Sequence, residues 1–352
     1  MTIPLSAADT PCVLIDLDRV EANLRRVQEH AEANAYRLRP HTKTHKLPQF
    51  AHRQVALGAV GITVQKLGEA EVMADAGVTD IFLPYNIVGA QKLARLRALN
   101  ERVTLAVTAD SAETVAGYSG TFCDAAKPLT VLVECDTGAG RCGVQSPEAA
   151  LELARLILRS PGLQFGGLMT YPPAGLAAAV TDWLAQARQL LEDAGIAVPV
   201  ITGGNTPDMW NAGDGVVTER RPGTYIYYDR SQVARGVATP DDCALTVLAT
   251  VVSRPTPLRA VIDAGSKALS SDLLGMTGYG VIQGTEVTVA SLSEEHGVIT
   301  FPEPTLTPRV GDRLRIVPNH ACVVSNLFDN VHLVRNGEIV ETVPVAARGR
   351  VD

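Results

Sequence analysis

No run of 18 consecutive apolar residues occurs in the 352-residue chain, and the opening MTIPLSAADTPC has no basic start followed by an apolar stretch. Neither a membrane span nor a secretory leader is therefore expected, and the sequence points to the cytoplasm. Cysteine is sparse and unpatterned. Cys12, Cys123, Cys135, Cys142, Cys243 and Cys322 include no C-x-x-C pair and no disulfide-framework spacing, which suits a reducing compartment. Positive charge is in deficit as well, with 31 Lys and Arg against 38 Asp and Glu, a net charge of −7. Without a basic stripe interleaved with aromatics, a nucleic-acid or anionic-membrane partner has no electrostatic support, and a small molecule is the expected partner. Low-complexity tracts and like-charge runs are also missing. Hydrophobic residues at 46% and charged residues at 20% are ordinary for a soluble globular chain, which excludes wholesale disorder.

What is present divides the chain in two, as its length leads one to expect. After the extended VLIDL, Asp18 and Glu21 make a D-x-x-E helix start, and Val20, Leu24 and Val27 recur at helical spacing. β-rich runs then alternate with helical ones: RLRPH, GITV, DIFLPY, VTLAV, LTVLVE, FGGLMTY, VPVITGG and PGTYIYY are separated by segments such as LGEAEVMADAG and PEAALELARLIL. Eight strands alternating with helices predict a (β/α)8 TIM-type barrel over residues 16–235. A doubly wound open sheet usually needs fewer strands. Beyond residue 240, β-branched runs separated by Gly, Pro and Asn replace the long helices. Residues 236–352 are therefore expected to form an antiparallel β domain, with a hairpin turn at Asn336-Gly337.

In such barrels the reacting groups gather at the C-terminal ends of the strands. Five ends carry polar or aromatic groups here: Arg39 to Lys46 after the first strand, Tyr85-Asn86 after the third, Asp136 to Arg141 after the fifth, Tyr171 after the sixth and Gly203-Gly204-Asn205-Thr206 after the seventh. The glycine pair lets backbone N–H groups approach an anion, a helix is expected to follow with its N-terminus facing that anion, and Tyr225 could add a hydroxyl. Phosphate is the candidate ligand, although the pair taken alone reads as a tight turn. Lys43 supports two readings equally. A desolvated amine beside other cations is nucleophilic and can form a Schiff base, whereas His41, His45 and Lys46 make the same loop a plain anion-binding surface. In Pro318-Asn319-His320-Ala321-Cys322 an extended backbone would put imidazole and thiolate on one face, a pair suited to zinc that leaves positions for substrate and water. H-x-C also arises by chance. Glu294-Glu295-His296 reads as a solvated hairpin tip.

Taken together, TPCVLIDLDRVEANL, RPHTKTHK, KLGEAEVMADAG, VECDTGAGRCGV, GGNTP, RPGTYIY, DAGSKALSSD, LSEEHG and PNHACVVSNLFD appear in order over nearly the whole chain. They resemble the metal-activated pyridoxal enzymes that group D-threonine aldolase with eukaryotic-type D-serine dehydratase. The resemblance implies an alanine-racemase-like barrel of fold type III plus a β domain, the latter joined by residues 1–15 and the early strand VLIDL. It implies pyridoxal 5'-phosphate on Lys43. The residues around the cofactor would be His41, Arg141 and Tyr171, and its phosphate cradle would be Gly203, Gly204, Asn205, Thr206 and Tyr225. His320 and Cys322 match the metal pair, holding zinc, or manganese or magnesium. Aldolase-type members typically have Asp as the second ligand, and His with Cys is similar to the D-serine dehydratase pattern. Dehydratase-like members often carry a histidine soon after the strand-six tyrosine, where this chain has Pro172-Pro173-Ala174-Gly175. The histidine that would deprotonate a substrate hydroxyl is not assigned; His41, His45 and His296 are the candidates.

The implied activity is that of a lyase on a D-configured β-hydroxy amino acid, working as a homodimer. Retro-aldol cleavage to glycine plus an aldehyde is the expected reaction, because GLMTYPPAG and SNLFD look nearer to the aldolase branch. Dehydration of D-serine or D-3-hydroxyaspartate to a 2-oxo acid and ammonia is the first alternative. A metal-independent amino-acid racemase is another, as is a non-catalytic pyridoxal-phosphate carrier, which normally lacks a C-terminal β domain.

Overall fold

The computed structural model describes residues 2–212, 215–301 and 308–352. The chain forms two compact units: a barrel unit of Val27–Lys43, Leu47–Gly223 and Arg350–Asp352, and a β unit of Met1–Arg26, Thr44–Lys46 and Thr224–Gly349.

Among the described residues eight parallel strands build the barrel unit, in the order Arg37–Leu38, Glu219–Arg220, Val200–Gly203, Leu163–Thr170, Leu129–Cys135, Thr104–Ala109, Asp80–Leu83 and Ile62–Thr63. The two ends of this path meet through Val60 N–H to Leu38 O (2.9 Å), Thr63 N–H to Pro40 O (2.7 Å) and a parallel bridge between His41 and Thr63. Strands such as LTVLVEC are buried on both faces, as a parallel sheet wrapped by helices requires. Between them the helices bury one stripe each. Pro147–Arg159 starts where the Ser146 hydroxyl accepts the Ala149 N–H at 3.2 Å with proline in its first turn, and it buries Ala150, Leu153, Ala154 and Ile157. Where Leu163–Thr170 meets Val200–Gly203, Gly167 has φ +125° and a Cβ there would collide with the Val200 carbonyl, so only glycine fits.

Two local expectations are corrected. The first helix, Leu17–Ala33, begins ahead of the D-x-x-E pattern, because the Asp16 carboxylate accepts the N–H groups of Asp18 and Arg19, each at 3.1 Å. Its inward stripe is Val20, Leu24, Val27 and Ala31. The eighth barrel strand is Glu219–Arg220 and not PGTYIYY. Pro222 has no N–H to continue the ladder, and the aromatic run instead folds into the 3-10 turn Thr224–Ile226 with Tyr225, Tyr227 and Tyr228 all buried.

Among the described residues the β unit is a ten-stranded, mostly antiparallel sheet. Cys12–Asp16 lies between Leu245–Thr256, to which it is antiparallel, and Asn330–Arg335, to which it is parallel. The hairpin of Asn330–Arg335 with Glu338–Pro344 turns at Asn336 and Gly337, with φ of +51° and +77°, the two left-handed residues that the Asn-Gly pair predicts. Leu14, Leu248, Val334 and Ile339 pack together beside it. A barrel plus a β domain is thus the architecture anticipated from the alternation of patterns. Among the described residues no helix is long and apolar enough to cross a membrane.

Candidate active site

Register fixes the working end of the barrel. Arg220 pairs with Leu38 on one side and Gly203 on the other, so these residues share one level and the segments that follow leave from the same C-terminal end. Lys43 sits half-buried in the 3-10 turn Thr42–Thr44. Its N–H donates to His41 Nδ1 at 3.3 Å, and His41 Nε2 lies 3.0 Å from Gln65 Oε1. With Nδ1 accepting, the ring proton belongs on Nε2, where it donates to the amide oxygen. Thr42 adds a bond from its hydroxyl to Thr63 O at 3.1 Å. The turn is therefore held at both sides of the lysine stem.

Gly204 has φ +81°, and a Cβ there would press against Arg220 Cγ at 3.2 Å. Asn205 and Thr206 are buried beside it. The Asn205 amide donates to Pro172 O (3.1 Å) and its oxygen takes the Asp208 N–H (2.8 Å), while the Thr206 hydroxyl accepts the Gly223 N–H (3.3 Å). Turns follow, not the expected helix. The Asn205 side chain captures a backbone donor, and Arg220 draws the Asn211 and Ala212 carbonyls to itself at 2.7 and 2.8 Å, which removes them from helical bonding. An anion at this strand end would meet turn N–H groups without a helix behind them.

Arg141 lies over the Tyr171 ring, with Cζ 4.6 Å from its centroid, and both side chains are exposed. The loop that carries Arg141 is folded by Asp136, whose carboxylate accepts the N–H groups of Gly138 (3.0 Å) and Gly140 (3.1 Å). Partial burial opposes that charge, yet the amide donors hold the carboxyl below its usual range. Tyr225 belongs to the β unit, where it is fully buried.

Sequence reasoning missed the charges inside the barrel. Arg221 is buried, donates to the Thr202 hydroxyl and to Thr170 O, and stands 5.5 Å from the Phe82 centroid. Burial pulls its guanidinium down to about 10 against the attraction of Glu219 and Glu134, so it remains a cation at neutral pH. Glu134, which accepts from the Thr108 hydroxyl at 3.2 Å, is raised by burial. Their signal in the sequence was weak: charged residues inside strand patterns, at R-P-G and V-E-C.

In the β unit the His320-x-Cys322 pair is not extended. His320 is the N-cap of the helix Ala321–Leu327, and Cys322 lies in its first turn. The helix start is set by Asp229, whose carboxylate accepts the Ala321 N–H at 3.0 Å. The two side chains still lie near enough for Cys322 to raise the imidazole pKa. Cys322 Sγ also lies 3.1 Å from the Thr44 hydroxyl and 3.6 Å from that of Thr224. His320 Nδ1 is 2.7 Å from Asp272 Oδ2. Burial disfavours the imidazolium, but Cys322, Asp272 and Asp229 together push His320 up to about 9. Among the described residues, no group of three or more His, Cys, Asp and Glu side chains is arranged to hold a metal ion. Of the other histidines considered, His45 is fully buried, and His296 is exposed at the hairpin tip where Glu294 and Glu295 pair with Lys267 at 3.1 and 2.6 Å.

Residues 15–231 match the family model described as "Alanine racemase, N-terminal domain", and residues 244–334 match the one described as "Putative serine dehydratase domain". The chain is 37% identical to D-threonine aldolase of an Arthrobacter species, across 98% of this chain and 94% of that protein. Among solved structures, D-threonine aldolase of Filomicrobium marinum superposes with a TM-score of 0.92 at 35% identity, covering 100% of this chain and 99% of the other. D-threo-3-hydroxyaspartate dehydratase of a Delftia species superposes with a TM-score of 0.89 at 32% identity, over 97% and 98%. Solved D-threo-3-hydroxyaspartate dehydratase variants, one with a histidine and one with a cysteine replaced by alanine, the latter in a metal-free form, superpose with TM-scores of 0.90 and 0.89 at 30% and 31% identity.

Proposed function

We infer the function from the family to which the chain belongs, that of D-threonine aldolase and the D-3-hydroxyaspartate aldolases and dehydratases, lyases with an alanine-racemase-like fold. Within it we propose a lyase, dependent on pyridoxal phosphate and a divalent metal, that cleaves D-threonine or a similar D-β-hydroxy amino acid into glycine and an aldehyde. The observation that carries this reading is the whole-length similarity to D-threonine aldolase in both sequence and fold. Incubation of the loaded protein with D-threonine tests it. Glycine and acetaldehyde are expected, whereas 2-oxobutanoate and ammonia would overturn the retro-aldol assignment.

The residues at the barrel end suit the cofactor. Lys43 would hold pyridoxal 5'-phosphate through its amine. The strand end Gly203, Gly204, Asn205 and Thr206 would take the phosphate, and Arg141, Tyr171 and His41 would flank the ring. The left-handed Gly204 supports this, because it turns the chain without a side chain where a Cβ would press on Arg220. When bound, the cofactor supplies an electron sink for negative charge at Cα. For carbon–carbon cleavage Lys43 need only release and retake the cofactor. For elimination its amine also removes the Cα proton. His41, with both ring nitrogens engaged, keeps the lysine turn in place, so the proton of the β-hydroxyl falls to another group.

His320 and Cys322 offer an imidazole and a thiol close together, a donor set that suits zinc better than magnesium or manganese. A metal there would supply a Lewis acid for the β-hydroxyl. One observation favours the dehydratase reading: the histidine and cysteine replaced in the dehydratase variants lie two positions apart, the spacing of His320 and Cys322. Pyruvate from D-serine, or oxaloacetate from D-threo-3-hydroxyaspartate, without glycine from any substrate, would establish it. The reading includes a homodimer, which sedimentation of the loaded protein checks.

A further inference from the structure

We propose that Asp272 is the positioning residue of the metal pair: its carboxylate keeps the ring proton of His320 on Nδ1 and so leaves Nε2 as the atom that takes the metal. This inference rests on the reading of His320 and Cys322 as metal ligands.

The geometry carries it. Asp272 Oδ2 is 2.7 Å from His320 Nδ1, a charge-assisted contact that occupies one edge of the ring. Ligation through Nδ1 would have to expel that carboxylate, whereas ligation through Nε2 leaves it in place. Asp272 could instead be imagined as a third ligand. Its carboxylate is already engaged with His320 Nδ1, however, and no three-donor metal group forms among the described residues.

Asp272 is itself held from several directions. Its N–H donates to the Ser270 hydroxyl at 3.0 Å, and its carbonyl accepts from Asn319 Nδ2 at 3.0 Å. Asn319 is buried, donates also to Gly278 O at 2.8 Å, and accepts from Arg230 at 3.0 Å. Consecutive residues, Asn319 and His320, thus grip the main chain and the side chain of one aspartate. The loop that presents it contains two left-handed residues that are not glycine, Ser270 at φ +65° and Leu274 at φ +50°. Such backbone persists only where its surroundings over-determine it. The His320 and Asp272 side chains are 29% and 42% exposed, so as an ion pair they contribute too little to stability to account for that strain. Orientation of a ligand does account for it, since a carboxylate on the second nitrogen fixes both the tautomer and the ring plane of a metal-binding histidine.

The test uses the full chain with its cofactor and reads zinc affinity by competition with a chelating dye, together with the imidazole ¹⁵N spectrum of the zinc-loaded protein. Asp272→Ala is expected to weaken zinc about 10- to 100-fold and to remove the protonated Nδ1 signal of His320. Asp272→Asn keeps the shape of the side chain and an acceptor oxygen, and is expected to recover part of both. It also answers the question should the alanine variant fail to fold. Wild-type affinity in both variants, with His320 still protonated on Nδ1, overturns the proposal while leaving the metal pair intact. Equal zinc binding by the wild type and His320→Ala overturns the metal reading itself, and this inference with it.

Discussion

Around Lys43 the barrel unit presents main-chain groups and one amine, and its precision comes from strand register and a left-handed glycine. Around Cys322 the β unit presents side chains braced by other side chains: two threonine hydroxyls on the sulfur, Asp272 on the imidazole and Asp229 on the peptide between them. Lys43 itself apart, a site of the first kind is expected to depend more on backbone shape than on its surrounding side chains. The second has the opposite sensitivity. The two regions should therefore be separable by mutation, the first losing the proposed cofactor and the second the proposed metal.

The largest effect is expected for Lys43→Ala, with turnover falling by on the order of 10⁴-fold or more. The long-wavelength cofactor absorbance should vanish while zinc content stays at the wild-type level; loss of zinc as well would break the contrast. His320→Ala should do the reverse, retaining the absorbance, losing zinc and slowing turnover by about 10²- to 10³-fold. Metal analysis and an absorbance spectrum of the same sample decide it. Gly204→Ala should cost about 1–2 kcal/mol in urea unfolding and loosen the cofactor, because φ +81° and the nearby Arg220 Cγ both oppose a Cβ. The Asp272 variants should unfold like the wild type by the same measurement.

The smallest effect concerns pH. Burial raises Glu134, so its stabilising contribution is complete below the ordinary glutamate pKa of about 4.3 and is lost as pH rises through the higher folded value. Glu134→Gln does not titrate, and it should gain on the wild type between about pH 4 and about pH 7. Paired urea midpoints at those two values measure the gain, and a constant difference would contradict the assigned direction.

Features set by neighbouring residues were legible in the sequence. The alternating pattern predicts the barrel, and Asn336-Gly337 predicts its hairpin turn, because each depends on a few adjacent side chains and their allowed φ values. The eighth strand was misplaced for an instructive reason: TYIYY has every side chain a strand favours, but Pro222 interrupts the ladder before it. The helix expected after Gly204 failed similarly, through competition from Asn205 and Arg220 for backbone groups. His320 and Cys322 were visible as a spaced pair. Their helical setting was not, because Asp229 lies far away in sequence. Asp272 looks like an ordinary surface charge in a linear chain, Glu134 and Arg221 give only the weak signal of charges in strand patterns, and long-range packing reveals what all three face.

Asp229 has a consequence of another kind. Its one carboxylate accepts the N–H of Gln232, the hydroxyl of Ser231 and the N–H of Ala321, and so closes the start of Arg230–Ala234 and of Ala321–Leu327 at once. Fraying either helix start would strand a buried charge and withdraw support from the other. The amides of Gln232 and Ala321 should then exchange with solvent deuterium at a common rate, as members of one cooperative opening unit that carries His320 and Cys322 with it.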